Sequence, residues 1–96
     1  MPDISEIQSE VLAVTTVRGS AEELKPRDLA IGASVEVAEL LDLYKWGAEP
    51  ADKEVVGNEL ADVAIYVMRL ANALDIDLGA EVQRKLGVNA EEYSKP

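Results

Sequence analysis

Apolar positions along this chain recur every three to four residues, and nowhere does an apolar/polar alternation of period two run long enough to make a strand. Four helices are expected. Ile4, Ile7, Val11 and Val14 form one stripe over about residues 5–17. Ser5 and Gln8 have capping-box spacing at its start, with Asp3 and Glu6 a competing pair two residues earlier. Arg18-Gly19-Ser20 breaks the pattern. After the polar stretch 21–25, Pro26 suits the first turn of a second helix reaching about Trp46. Residues 47–52, with Gly47 and Pro50, connect it to a third over roughly 53–74, whose first turns Gly57 weakens. Asp75-Ile76-Asp77 closes that helix, and Asp77 is a good N-cap for a fourth over about 78–93, which Gly87 weakens. The expected architecture is all-α, a four-helix chain forming a single domain over residues 1–96.

The acids are what make this pattern unusual. At about 100° per residue, Glu36 and Glu39 fall on the same arc of the second helix as Leu29, Ala33, Leu40, Leu43 and Trp46, while Ser34, Ala38, Asp42 and Lys45 take the opposite side. In the third helix Glu59, Asp62, Tyr66 and Arg69 share one stripe. Leu60, Val63, Ala64, Ile65, Val67, Met68, Leu70 and Leu74 surround them and leave almost no polar face. A helix apolar nearly all round is expected to be buried. Burying one unpaired carboxylate costs several kcal/mol, so four inward acids need cationic partners or bound divalent ions. Inward-facing bases (Arg69, Lys85) are too few for four acids. A single Glu-x-x-Glu is ordinarily a solvated helix face; two such pairs on apolar arcs leave that reading and a metal site side by side.

Composition narrows the chemistry. The chain has 96 residues, 48 % of them hydrophobic, with one Trp, three Tyr and no Phe, so its core is aliphatic and its fold globular. So small a chain buries a modest share of its surface, and pairing with a second copy is expected. Nineteen acids against nine bases give a net charge of −10, which argues against direct nucleic-acid or membrane binding. The absence of His and Cys removes Ser–His and Cys–His dyads, thiol chemistry and Cys/His zinc sites, and disfavours the Glu-x-x-His di-iron arrangement. Oxygen-only donors suit hard ions, Mg²⁺ or Mn²⁺. With no signal peptide or membrane-spanning run, the default is a cytoplasmic protein.

"EVAE" at 36–39 and "ELAD" at 59–62 together resemble the signature of the all-α, MazG-like nucleoside triphosphate pyrophosphohydrolases. The resemblance extends through "PRDLA" (26–30), "EVAELLDLYKWG" (36–47), "NELADVAIYVMRLANALDIDL" (58–78) and "KLGVN" followed by Tyr93, and so covers about residues 26–93. The nearest flavour is the small, single-domain dCTP-pyrophosphatase type. The resemblance implies Mg²⁺-dependent hydrolysis of (deoxy)nucleoside triphosphates to monophosphate and pyrophosphate, in clearing unwanted nucleotides. It further implies a dimer or dimer of dimers in which helices of two subunits pack into a bundle and share the cleft. Glu36, Glu39, Glu59 and Asp62 match the metal ligands, with Glu39 assigned to orient the attacking water. Lys85 and Asn89 match nucleotide contacts, and Trp46 and Tyr66 match positions lining the base pocket. Arg69 either reaches a phosphate or pairs with an acid. One departure stands out: the Trp and His that precede "PRDL" in dCTP-preferring relatives have no counterpart, Ser20 and Leu24 lying near their places. That leaves base preference open, along with two other readings, a pyrophosphohydrolase of phosphoribosylated nucleotides and a non-catalytic nucleotide-binding or scaffold dimer.

Overall fold

The computed structural model describes residues 1–17, 24–44, 47, 49 and 52–94, with the side chains of Thr16 and Val17 left aside. It is all-α: α1 Ile4–Val17, α2 Pro26–Asp42, α3 Lys53–Ala73 and α4 Leu78–Tyr93. The 18–20 break and Trp46 lie outside the described residues; α2 itself closes at Asp42, and its C-cap Leu43 is still in the right-handed region.

The helix ends follow from local chemistry. Pro26 opens α2, where a missing N–H costs nothing, and the Asp28 carboxylate accepts from the Lys25 N–H at 3.2 Å. Asp52 caps α3 through the Glu54 N–H at 2.9 Å, and Asp77 caps α4 through the Ala80 N–H at 3.2 Å. At the start of α1 the competing pair wins over the expected Ser5–Gln8 box: Asp3 accepts from the Glu6 N–H at 2.8 Å. Ser5 and Gln8 are drawn away by tertiary partners. Ser5 donates to Asp77 at 2.9 Å, and Gln8 is buried. α3 stops in a Schellman arrangement, Ile76 N–H to Ala71 C=O at 2.8 Å and Asp75 N–H to Asn72 C=O at 3.2 Å, with Asp75 left-handed at φ 55°.

α2 and α3 form an antiparallel hairpin, since Gly32 meets Tyr66 while Glu36 meets Glu59 and Asp62. α1 packs on α3, and α4 packs on α1. Gln8 ties α1 to the α3–α4 turn. Its amide donates to Asn72 Oδ1 at 2.9 Å and to the Ile76 carbonyl at 2.7 Å, and its oxygen accepts from the Leu78 N–H at 3.0 Å. Asn72 Nδ2 donates in return to the Gln8 backbone carbonyl at 3.2 Å, and the buried Gln8 amide has both its N–H groups and its oxygen partnered.

Among the described residues the buried apolar core of one chain is small: Leu29, Met68 and Ala71. The expectation that α3 is buried all round fails within a single chain, where Leu60, Ile65, Val67 and Leu74 remain exposed. The reason is geometric. α2 and α1 cover only part of the α3 circumference, and α4 leans on α1 rather than closing over it. The chain is correspondingly open, with a radius of gyration of 15.8 Å and 7704 Å² of accessible surface. A compact monomer of this size would have roughly 12.5 Å and roughly 5,400 Å². Among the described residues no helix is long and apolar enough to cross a membrane.

Candidate metal centre

The α2–α3 hairpin brings carboxylates from two helices to one point. Glu36 of α2 and Glu59 and Asp62 of α3, all half-buried, have carboxylate oxygens within 4.8 Å of one another. Spacing explains the convergence: Glu59 and Asp62 are i and i+3, neighbours on adjacent turns, and the antiparallel register puts Glu36 against them. Glu36 Oε2 and Glu59 Oε2 are closed off from water and have no hydrogen-bond donor. Buried polar atoms are almost always partnered, so two orphaned acceptors facing a third carboxylate mark a place where positive charge belongs.

The electrostatics agree. Desolvation, foremost, then the neighbouring charge and carboxylate of Glu39 and the charge of Asp62 push the Glu36 carboxyl up to about 7. Carboxylate oxygens gathered this closely would suit one small divalent ion, whose oxygen ligands stand a few ångströms apart. The donor set, oxygens alone, is that of a hard cation.

Of the four carboxylates expected as ligands, three converge; Glu39 is exposed beside Glu36, near enough to raise its pKa. Tyr66 lies one turn beyond Asp62 with its ring against the backbone of Gly32, and Arg69 Cζ sits 5.3 Å from the ring centroid. Arg69 makes no ion pair among the described residues, where Arg84–Glu81 at 3.1 Å is the one such pair. Lys85 is exposed and Asn89 half-buried on α4, whose packing is on α1. The seat that Gly32 provides was not foreseen. Its signal was present, an isolated glycine inside a helical pattern one turn before an inward acid.

Similarity to known proteins covers this same region. The MazG-like family model matches residues 31–96, spanning all three converging acids. The chain belongs to the MazG-like family. It is 32 % identical over 78 residues to dCTP pyrophosphatase 1 of Homo sapiens, and 31 % identical over 78 residues to the proteins of that name from Rattus norvegicus and Mus musculus. Each alignment covers 72 % of this chain and 46 % of the relative, so this MazG-like chain spans about half the length of those relatives.

A pH signature follows for the metal-free protein. Glu36 titrates near the ordinary carboxylate value of 4.5 when unfolded and at about 7 when folded. Between those values the folded state binds more protons, so this group's contribution makes stability fall as pH rises from about 4.5 to about 7. Thermal melts in EDTA are expected to drop across that window, and Mg²⁺ is expected to restore the loss at pH 7.5 because it binds the ionised trio. Melts insensitive to Mg²⁺ at pH 7.5 would contradict the site.

Proposed function

We propose that this MazG-like chain hydrolyses (deoxy)nucleoside triphosphates to the monophosphate and pyrophosphate in a divalent-cation-dependent reaction, in clearing unwanted nucleotides. The observation that carries this reading is the trio Glu36, Glu59 and Asp62 with two buried, unpartnered oxygens inside the family-matched segment. The name of the relatives, dCTP pyrophosphatase 1, supplies the substrate class.

When bound, Mg²⁺ or Mn²⁺ supplies positive charge against the phosphate oxygens and makes nearby water more acidic. The protein's own part is positional. Glu36, Glu59 and Asp62 would hold the cation beside the triphosphate. Glu39, exposed beside them, orients a water toward the α-phosphorus and takes its proton. The water oxygen bonds to that phosphorus as the bond to the pyrophosphate oxygen breaks. No side-chain nucleophile is needed, which suits a chain without His or Cys. Arg69, held over Tyr66 without a carboxylate partner among the described residues, is available to a phosphate or base. Tyr66 and Trp46 are assigned to the base pocket.

The working unit is a homodimer or a dimer of dimers. The exposed apolar residues of α3, the open shape of the chain and its excess surface support a second copy covering this face. Lys85 and Asn89 lie on a helix packed on α1, and they serve the cleft of the partner copy. Pyrophosphate release from a panel of canonical and modified (d)NTPs, with Mg²⁺ and with EDTA, tests the reading. No turnover on any nucleotide, or turnover unaffected by EDTA, would overturn it.

A further inference from the structure

The two helices that carry the acids meet, among other places, at a close contact whose smaller half is a residue with no side chain. A Cβ on Gly32 would collide with Tyr66 Cε1 and lie 2.7 Å from Cδ1 and 2.9 Å from Cζ. Ordinary carbon contacts are about 3.5–4.0 Å, so a methyl here is short by roughly an ångström or more. The ring is half-buried, and the Arg69 guanidinium stands over it with Cζ 5.3 Å from its centroid. Gly32 is one helical turn before Glu36, and Tyr66 one turn after Asp62. The contact therefore stands about 6 Å along the hairpin from the trio, on the same α2–α3 interface.

We propose that Gly32 is a positioning residue for the carboxylate trio: its bare Cα seats the Tyr66 ring and so sets the α2–α3 separation at which Glu36 meets Glu59 and Asp62. This rests on reading the trio as a cation site. Metal ligation tolerates only a few tenths of an ångström, so a hairpin opened by an ångström at Gly32 presents the Glu36 oxygens too far from their partners.

Helix propensity alone gives the opposite expectation, since Gly→Ala inside a helix is ordinarily stabilising. The decisive measurement is Mn²⁺ affinity of the full chain, by electron paramagnetic resonance and calorimetry, for wild type, Glu59→Gln, Gly32→Ala, Tyr66→Ala and Gly32→Ala/Tyr66→Ala. Binding is read instead of turnover because Tyr66 is itself assigned to the nucleotide pocket. With the ring present, Gly32→Ala is expected to weaken Mn²⁺ binding about tenfold or more. With the ring removed, the same added methyl is expected to be harmless, the double variant matching Tyr66→Ala within about threefold, the non-additivity expected of residues in contact. Equal Mn²⁺ affinity for wild type and Gly32→Ala, or the same loss with and without the ring, would overturn the inference while leaving the site intact. No Mn²⁺ binding by wild type would remove the site and the inference together. Should Gly32→Ala fail to fold, a folded double variant binding Mn²⁺ like Tyr66→Ala supports the contact, and a double variant that also fails to fold overturns it.

Discussion

Glu59→Gln is expected to cut Mg²⁺-dependent pyrophosphate release by about a hundredfold or more. Loss of groups that merely orient a metal's ligands costs about 10–100-fold, and Glu59 is assigned as a ligand itself. The substitution keeps the shape of the side chain and removes its charge. In the metal-free protein that change relieves a crowded site, because Glu59 Oε2 is a buried acceptor with no donor and shares the trio with Glu36 and Asp62. The variant should therefore melt at a higher temperature than wild type in EDTA at pH 7.5, while gaining less from added Mg²⁺. Reduced activity joined to increased metal-free stability separates a charge-binding site from a structural role, in which both would fall together. Activity within about threefold of wild type at saturating Mg²⁺ would rule out Glu59 as a ligand.

Mixing two inactive variants is expected to restore activity. If the acids of one subunit work with Lys85 of its partner, Lys85→Ala and Glu59→Gln each disable every site in their own homodimers. After unfolding and refolding together, half of the dimers are mixed, and each mixed dimer holds one site with intact acids and an intact Lys85 and one site with neither. About a quarter of wild-type activity should return, following from two-fold symmetry alone. The packing of α4 on α1 and the exposure of Lys85 motivate the experiment. No recovery, with subunit exchange verified by a mass-tagged partner, would place all the functional groups within one chain.

Charge and periodicity together made the metal reading accessible before any coordinates. Helical spacing alone put Glu59 and Asp62 on one stripe, and the structure places them as neighbours facing Glu36. The starts of α2 and α4 were legible because Pro26 and Asp77 act within a few residues of themselves, whereas the end of α2, expected near Trp46, falls at Asp42. Ser5 and Gln8 were misread because their partners, Asp77, Asn72 and Ile76, are about seventy positions away in the chain, and a cap inferred from spacing takes no account of distant competitors. Full burial of α3 was misread in another way. A sequence reports that a face is apolar, not which molecule covers it.

Composition and a period of 3.6 residues are local properties, so residue order was enough to establish that this protein is helical, that its metal-type donors are oxygens, and that two acid pairs lie on apolar arcs. The rest came from packing in three dimensions. Packing chose which acids converge, left Glu39 exposed beside the trio, isolated two oxygens from every donor, and seated Tyr66 on Gly32. The physical reason is that these outcomes depend on the distance and register between α2 and α3, quantities set by side chains meeting across the hairpin and by no single helix alone.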